Sequence, residues 1–157
     1  MSNQEKLKRF LSLFKNSSKV LVVINADPDS IASAMAVKRL LWREVAEVSM
    51  AYFNKISRPD NLAMIEYTDP GLVKLDDIKK EKFDRFVVVD SQPDHSEYLG
   101  QFDFDAIIDH HPLTCDNATY VDIRPDYGAC ATIMTEYIKS KKIKPSHKLA
   151  SALMLGI

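Results

Sequence analysis

Apolar positions form two kinds of run along this chain. Four stretches are of strand length and nearly continuous: "KVLVVIN" (19–25), "AEVSMAYF" (46–53), "FDRFVVVD" (83–90) and "FDAIID" (104–109). A shorter fifth, "ATYVDI", covers 118–123. The first has no polar face, as expected of a strand covered on both sides in a parallel sheet. Elsewhere apolar residues recur at helical spacing. Residues 3–15 place Leu7, Phe10, Leu11 and Phe14 on one face. Residues 29–44, 128–142 and 146–157 are further helical segments, with Pro145 just ahead of the last. The stretch "KISRPDNLAMIEYTDPG" (55–71), punctuated by Pro59 and Pro70, reads as mostly loop with one helical turn. The alternation predicts an α/β fold: a mainly parallel five-stranded sheet flanked by helices, Rossmann-like in plan.

Composition narrows the picture. A chain of 157 residues suits one domain with a real core. There is no internal repeat, low-complexity tract or linker. The formal net charge is −1, so no global basic field exists to hold long nucleic acid, while a small anionic ligand stays open. No apolar stretch is long enough to span a membrane. The amphipathic start is interrupted by Ser12 and lacks a cleavage site, unlike a signal peptide. The two cysteines, Cys115 and Cys130, form no CxxC pair and read as free thiols of a reducing compartment, which points to the cytoplasm. The chain ends inside an apolar helical pattern, the expectation for part of a longer polypeptide.

Candidate chemistry sits at the strand ends. In open α/β sheets, ligands bind at the carboxyl ends of the strands. After the first strand comes "NADPDS", with Asp27 and Asp29; after the third, Asp90; after the fourth, Asp109, His110 and His111. Four carboxylates on one edge repel, and several would protonate unless a cation sat among them. Carboxylates with imidazoles suit Mn²⁺, Fe²⁺, Co²⁺ or Zn²⁺. Two such ions about 3.5–4 Å apart would clamp a phosphate and activate a water. The D-x-D spacing lets Asp27 and Asp29 face different ions, and Asp90 is placed to bridge them. Each feature also has a plain reading. "NADPDS" is a turn in which Asp29 or Ser30 caps the next helix, and Asp90 alone is a strand-end aspartate. Adjacent histidines at a strand end seldom serve a core.

Together these residues resemble the DHH phosphoesterase family, whose triplet is Asp109-His110-His111 here. "NADPDSIASAMAV" looks like its first motif, in the form found in family II pyrophosphatases; "VVVDSQPD" is similar to the second and "IIDHHP" to the third. "GACATIMTEYI" and "ALMLGI" resemble the segments that follow, so the likeness covers residues 18–157. The family includes nanoRNases, cyclic-dinucleotide phosphodiesterases, RecJ exonucleases and pyrophosphatases. The resemblance implies a catalytic domain using two Mn²⁺ ions to hydrolyse phosphate esters or anhydrides. It implies Asp27 on the first metal, Asp29 and His110 on the second, Asp90 between them, and Asp109 and His111 as catalytic residues, with His111 against the substrate phosphate. It also implies a C-terminal DHHA1-type domain in the full-length chain, and leaves a homodimer open. The pattern departs at Val23, where the family usually has histidine.

Other residues carry less weight. His95 is placed to supply the missing imidazole or to be a solvated loop residue. Arg124 is a candidate phosphate contact, or an ion-pair partner of Asp122 or Asp126. Gly128 opens a helix, whose N–H groups favour an anion, and is a candidate for cradling substrate. His147 reads as surface, Trp42 and Tyr52 as packing residues, and Cys130 as a small buried side chain. The partner expected is a short oligonucleotide or small phosphorylated nucleotide. Two other readings stay open: a degenerate regulatory domain that binds nucleotide or metal, and a pyrophosphatase or exopolyphosphatase.

Overall fold

The computed structural model describes all of residues 1–157. Six strands, β1 (Lys19–Ile24), β2 (Glu47–Tyr52), β3 (Leu72–Lys74), β4 (Arg85–Val89), β5 (Ala106–Asp109) and β6 (Tyr120–Ile123), form one sheet in the order β3-β2-β1-β4-β5-β6. Every pairing is parallel. The helices are α1 (Asn3–Leu11), α2 (Pro28–Leu40), α3 (Pro59–Thr68), α4 (Cys130–Ser140) and α5 (His147–Gly156).

The α/β class and the parallel sheet agree with the sequence. The strand count is six, not five. The extra strand, β3, has three residues at the sheet edge, too short for its apolar pattern to register. The 55–71 segment is also not mostly loop. Pro59 occupies the first turn of α3, where a fixed φ and a missing N–H cost nothing. At the other end Asp69 turns left-handed (φ 45°) and Pro70 prevents continuation. The two prolines bracket a helix.

The faces of the sheet are unequal. The larger core, 29 buried residues, lies on the face carrying all five helices, under Val20, Val22, Ile24, Val87, Val89 and Ile108. α2 lies at its centre against α4 and α5, which is why its buried positions include Ala32, Ser33, Ala34 and Ala36. The opposite face holds only eight buried residues and no α-helix. Leu21, Val23, Val88 and Ile107 there are covered by Leu99, Phe102 and Phe104 from the β4–β5 connection. Trp42 does not pack into either core. It is 54% exposed, between the guanidinium groups of Arg39 and Arg43.

Strand order positions the site. From β1 the chain runs to β2 on one side; from β4 it runs to β5 on the other. The loops leaving β1 and β4 diverge and open a crevice at the carboxyl edge, the usual ligand position in such sheets.

Because the thin face has few buried side chains, each carries a large share of its stability. Leu99→Ala should cost about 2–4 kcal/mol, read as a lower urea midpoint at unchanged slope.

Candidate metal centre at the carboxyl edge

Each functional side chain is held by a local structural device. Asp27 is the N-cap of α2: its Oδ1 accepts from the Ser30 amide at 2.8 Å, and Ser30 Oγ accepts from the Asp27 amide at 2.9 Å. Asp29, two residues on, caps a different helix. Its two oxygens accept from the amides of Cys130 (2.9 Å) and Ala131 (2.7 Å), the first residues of α4. Ala129 at the N-cap of α4 has no capping side chain, so Asp29 supplies one from 101 residues away in sequence. The anion-favouring helix end at Gly128 is therefore filled by this chain's own carboxylate. The amides of Cys130 and Ala131, two and three residues after Gly128, are thus already paired.

Asp90 leaves β4 with φ 58°, a left-handed conformation that aspartate tolerates better than most residues. Its amide is tied to the Ile108 carbonyl at 3.0 Å. The side chain is 6% exposed, and its Oδ1 is buried without a hydrogen-bond partner. Burial, together with the carboxylates of Asp29 and Asp27, pushes the Asp90 carboxyl up to about 10.

His110 faces this group. Its Nδ1 lies 3.1 Å from the Tyr127 carbonyl, which can only accept, so Nδ1 carries a proton. In the neutral ring Nε2 then has a lone pair. That nitrogen is 3.2 Å from Asp90 Oδ1 and 3.5 Å from Asp29 Oδ2. Ligating histidines commonly donate their other ring N–H to a carbonyl in this way. An orphaned carboxylate oxygen beside a ring nitrogen and further carboxylates fits a divalent transition metal. Asp27 and Asp29 keep lone pairs beyond those used in capping, and Asp29 and Asp90 both face His110 Nε2, so the donor types suit such an ion.

Asp109 has a different position. It is fully buried and accepts from the His110 amide, His111 Nδ1 and Gln92 Nε2, each at 2.8 Å. Burial alone would raise its pKa, but these hydrogen bonds hold it below the usual carboxylate range. It therefore stays anionic and fixes His111, whose ring is 46% exposed. His111 Nε2 is left free. Atoms of Asp90, His110 and His111 come within 4.8 Å of one another, so both histidines reach one edge.

His95 lies beside Asp109 and His111. Its Nδ1 meets Ser91 Oγ (3.1 Å) and the Gln92 amide (3.3 Å), and its Nε2 meets Thr114 Oγ1 (3.2 Å). It braces the loop after β4. Val23 is fully buried under the thin apolar face and offers no ligand.

Arg124 lies in an ion-pair network with Asp122 and Glu136. Its Nε donates to Asp122, one terminal nitrogen to Tyr127 Oη and Glu136, and the other to Asn3 and Asp122. All five of its donors are taken. The network, with Lys6 on Asp122 at 2.9 Å, joins α1 to β6 and α4. It also steadies Tyr127, whose carbonyl sets the His110 tautomer.

Two contributors escaped sequence reading. Gln92, fully buried, donates to Asp109 and the Pro112 carbonyl and accepts from the amides of Thr114 and Cys115. Asn54 pairs with both backbone groups of Ala26, beside Asp27. Gln92 had a faint signal, lying two residues after Asp90; Asn54 had none.

The fold is a parallel α/β domain with carboxylates and imidazoles clustered at its switch point. The chain belongs to the DHH family: the model "DHH family, N-terminal domain" matches residues 19–157. The family is metal-dependent, of the phosphoesterase and pyrophosphatase type. An uncharacterized protein of Methanocaldococcus jannaschii is 39% identical over 138 residues, 88% of this chain and 29% of that protein. The crystal structure of an exopolyphosphatase-related protein from Bacteroides fragilis superposes with a TM-score of 0.74 at 16% identity, over 98% of this chain and 49% of that one. The chain thus spans about three-tenths of the curated relative and about half of the solved one. No helix is long and apolar enough to cross a membrane.

The Asp90 carboxyl titrates near 10 when folded and near 4 when unfolded. The folded metal-free chain therefore holds an extra proton, and its stability should fall as pH rises from about 4 towards about 10. Asp90→Asn should flatten that slope in urea titrations across pH. Mn²⁺ added at pH 7 should release about one proton, seen by calorimetry in buffers of different ionisation enthalpy. Separately, Arg124→Ala leaves Asp122 with one cation fewer in a buried setting and should destabilise the chain by about 3 kcal/mol, measured by urea unfolding.

Proposed function

We propose that this chain is a phosphoesterase domain that hydrolyses short oligonucleotides or small phosphorylated nucleotides with bound Mn²⁺. The observation that carries the reading is the convergence of Asp29, the orphaned Asp90 Oδ1 and His110 Nε2. Asp27, Asp29, Asp90 and His110 would hold the metal. Bound divalent ions supply Lewis acidity that polarises phosphoryl oxygens and makes water a nucleophile at neutral pH.

The remaining chemistry belongs to the chain's own residues. Asp109 accepts the Nδ1 proton of His111 and fixes that ring with Nε2 towards the edge. When protonated, His111 Nε2 donates to a phosphate oxygen or to the departing oxygen, and the buried Asp109 anion stabilises the imidazolium. Gln92 holds Asp109 from behind and links the loops after β4 and β5. A near-neutral chain favours a small substrate over a long polyanion. A cytoplasmic setting agrees with two unpaired cysteines.

Two other readings each have one supporting observation. Val23, buried and apolar where the family usually has histidine, favours a degenerate domain that binds metal or nucleotide without turnover. The name of the Bacteroides fragilis neighbour favours a pyrophosphatase or exopolyphosphatase.

Turnover of a dinucleotide and of pyrophosphate, each with Mn²⁺, separates the three. The phosphoesterase reading expects dinucleotide hydrolysis, lost in Asp90→Ala, with kcat lowered about 10²- to 10³-fold in His111→Ala. Faster pyrophosphate turnover would favour the third reading. Mn²⁺ binding without any turnover would favour the second.

A further inference from the structure

Beside the metal centre lies a cavity of about 640 Å³ at the carboxyl ends of β2 and β3. Its volume is in the range of small-molecule sites. Its wall is tied to the metal loop: Asn54, on its lining, holds Ala26 through two hydrogen bonds of 2.6 and 2.9 Å, and Asp27 follows directly. Adjacent strands lie about 4.8 Å apart, so the ends of β2 and β3 sit roughly 5–10 Å from the end of β1. That is the order of distance one ribose puts between a phosphate and its base.

We propose that this cavity is the nucleoside subsite of the phosphoester centre, taking the base of a nucleotide whose phosphate lies at Asp27, Asp29 and Asp90. The proposal rests on the phosphoesterase reading and names its substrate class. The lining is apolar within, from Tyr52, Ile56, Ile65 and Leu72, and charged through Lys55, Lys74, Asp69 and Asp76. Lys55 and Lys74 take part in none of the chain's ion pairs, so their N–H groups stay available. Two cations and two carboxylates give both donors and acceptors with no net charge. That suits the hydrogen-bonding edge of a flat neutral heterocycle and opposes a run of further phosphates. The apolar interior suits its faces, which a bare polyphosphate does not have.

The first test needs neither metal nor turnover. Adenosine titrated into the metal-free chain should shift the methyl resonances of Ile56, Ile65 and Leu72. Calorimetry with Mn²⁺ should then show AMP binding about tenfold tighter than ribose 5-phosphate, the weight of one held base. Lys74→Ala and Ile56→Ser should erase that advantage while leaving Mn²⁺ and ribose 5-phosphate binding unchanged. Equal affinity for AMP and ribose 5-phosphate, or an advantage untouched in both variants, would overturn the proposal. So would methyl shifts that follow protein concentration without ligand, which mean a second copy fills the cavity. Adenosine shifts without phosphate binding would leave the subsite standing and sink the phosphoesterase reading.

Discussion

The architecture turns on the meeting of the His110 imidazole with two carboxylates in the crevice. The Tyr127 carbonyl accepts from His110 Nδ1 and so aims Nε2 at Asp90 (3.2 Å) and Asp29 (3.5 Å), whose carboxylates face each other. Acceptor facing acceptor in a buried place is stable only with a cation or a borrowed proton between them. The fold is built to keep that confrontation in place. Asp90 is turned left-handed into the crevice, Asp29 is fastened across α4, and Asp27 is fixed at the start of α2. Asp27 and Asp29 are immobilised by hydrogen bonds to backbone amides, and Asp90 by its left-handed backbone and burial, before any ligand arrives, which is the preorganisation that a metal site needs.

Structural and functional readings of these aspartates are therefore not rivals. The sequence offered "NADPDS" either as a helix cap or as a pair of ligands. Asp27 is the cap, where Asp29 or Ser30 was expected, and it keeps lone pairs beyond the one used in capping. Asp29 caps a helix that no local pattern ties to it. A carboxylate held by amides loses rotamer freedom once, on folding, and binds afterwards without that loss.

Much of this was legible. The apolar runs located five strands because buried parallel strands lack a polar face, and the polar residues after them marked the site. What stayed hidden is long-range. The bonds from Cys130 and Ala131 to Asp29 span more than 100 residues, and nothing near Arg124 announces that Asn3 and Glu136 will claim its donors. Arginine after a strand reads equally as a phosphate contact or as a strut until its neighbours are known. β3 was missed because three residues carry no period, and α3 because proline signals a break or a start depending on which side the helix lies.

The unequal faces of the sheet give the site a soft wall and a hard one. On the helical side, α2 and α4 are clamped in the large core, so Asp27 and Asp29 share its rigidity. Residues 91–104, which carry Gln92, His95 and Leu99, rest on the smaller cluster alone. Local opening favours segments with few buried apolar contacts. Breathing of the domain should thus concentrate behind Asp109 and His111, while the side of the centre that carries Asp27 and Asp29 stays still. A substrate entering the crevice would close against one fixed jaw.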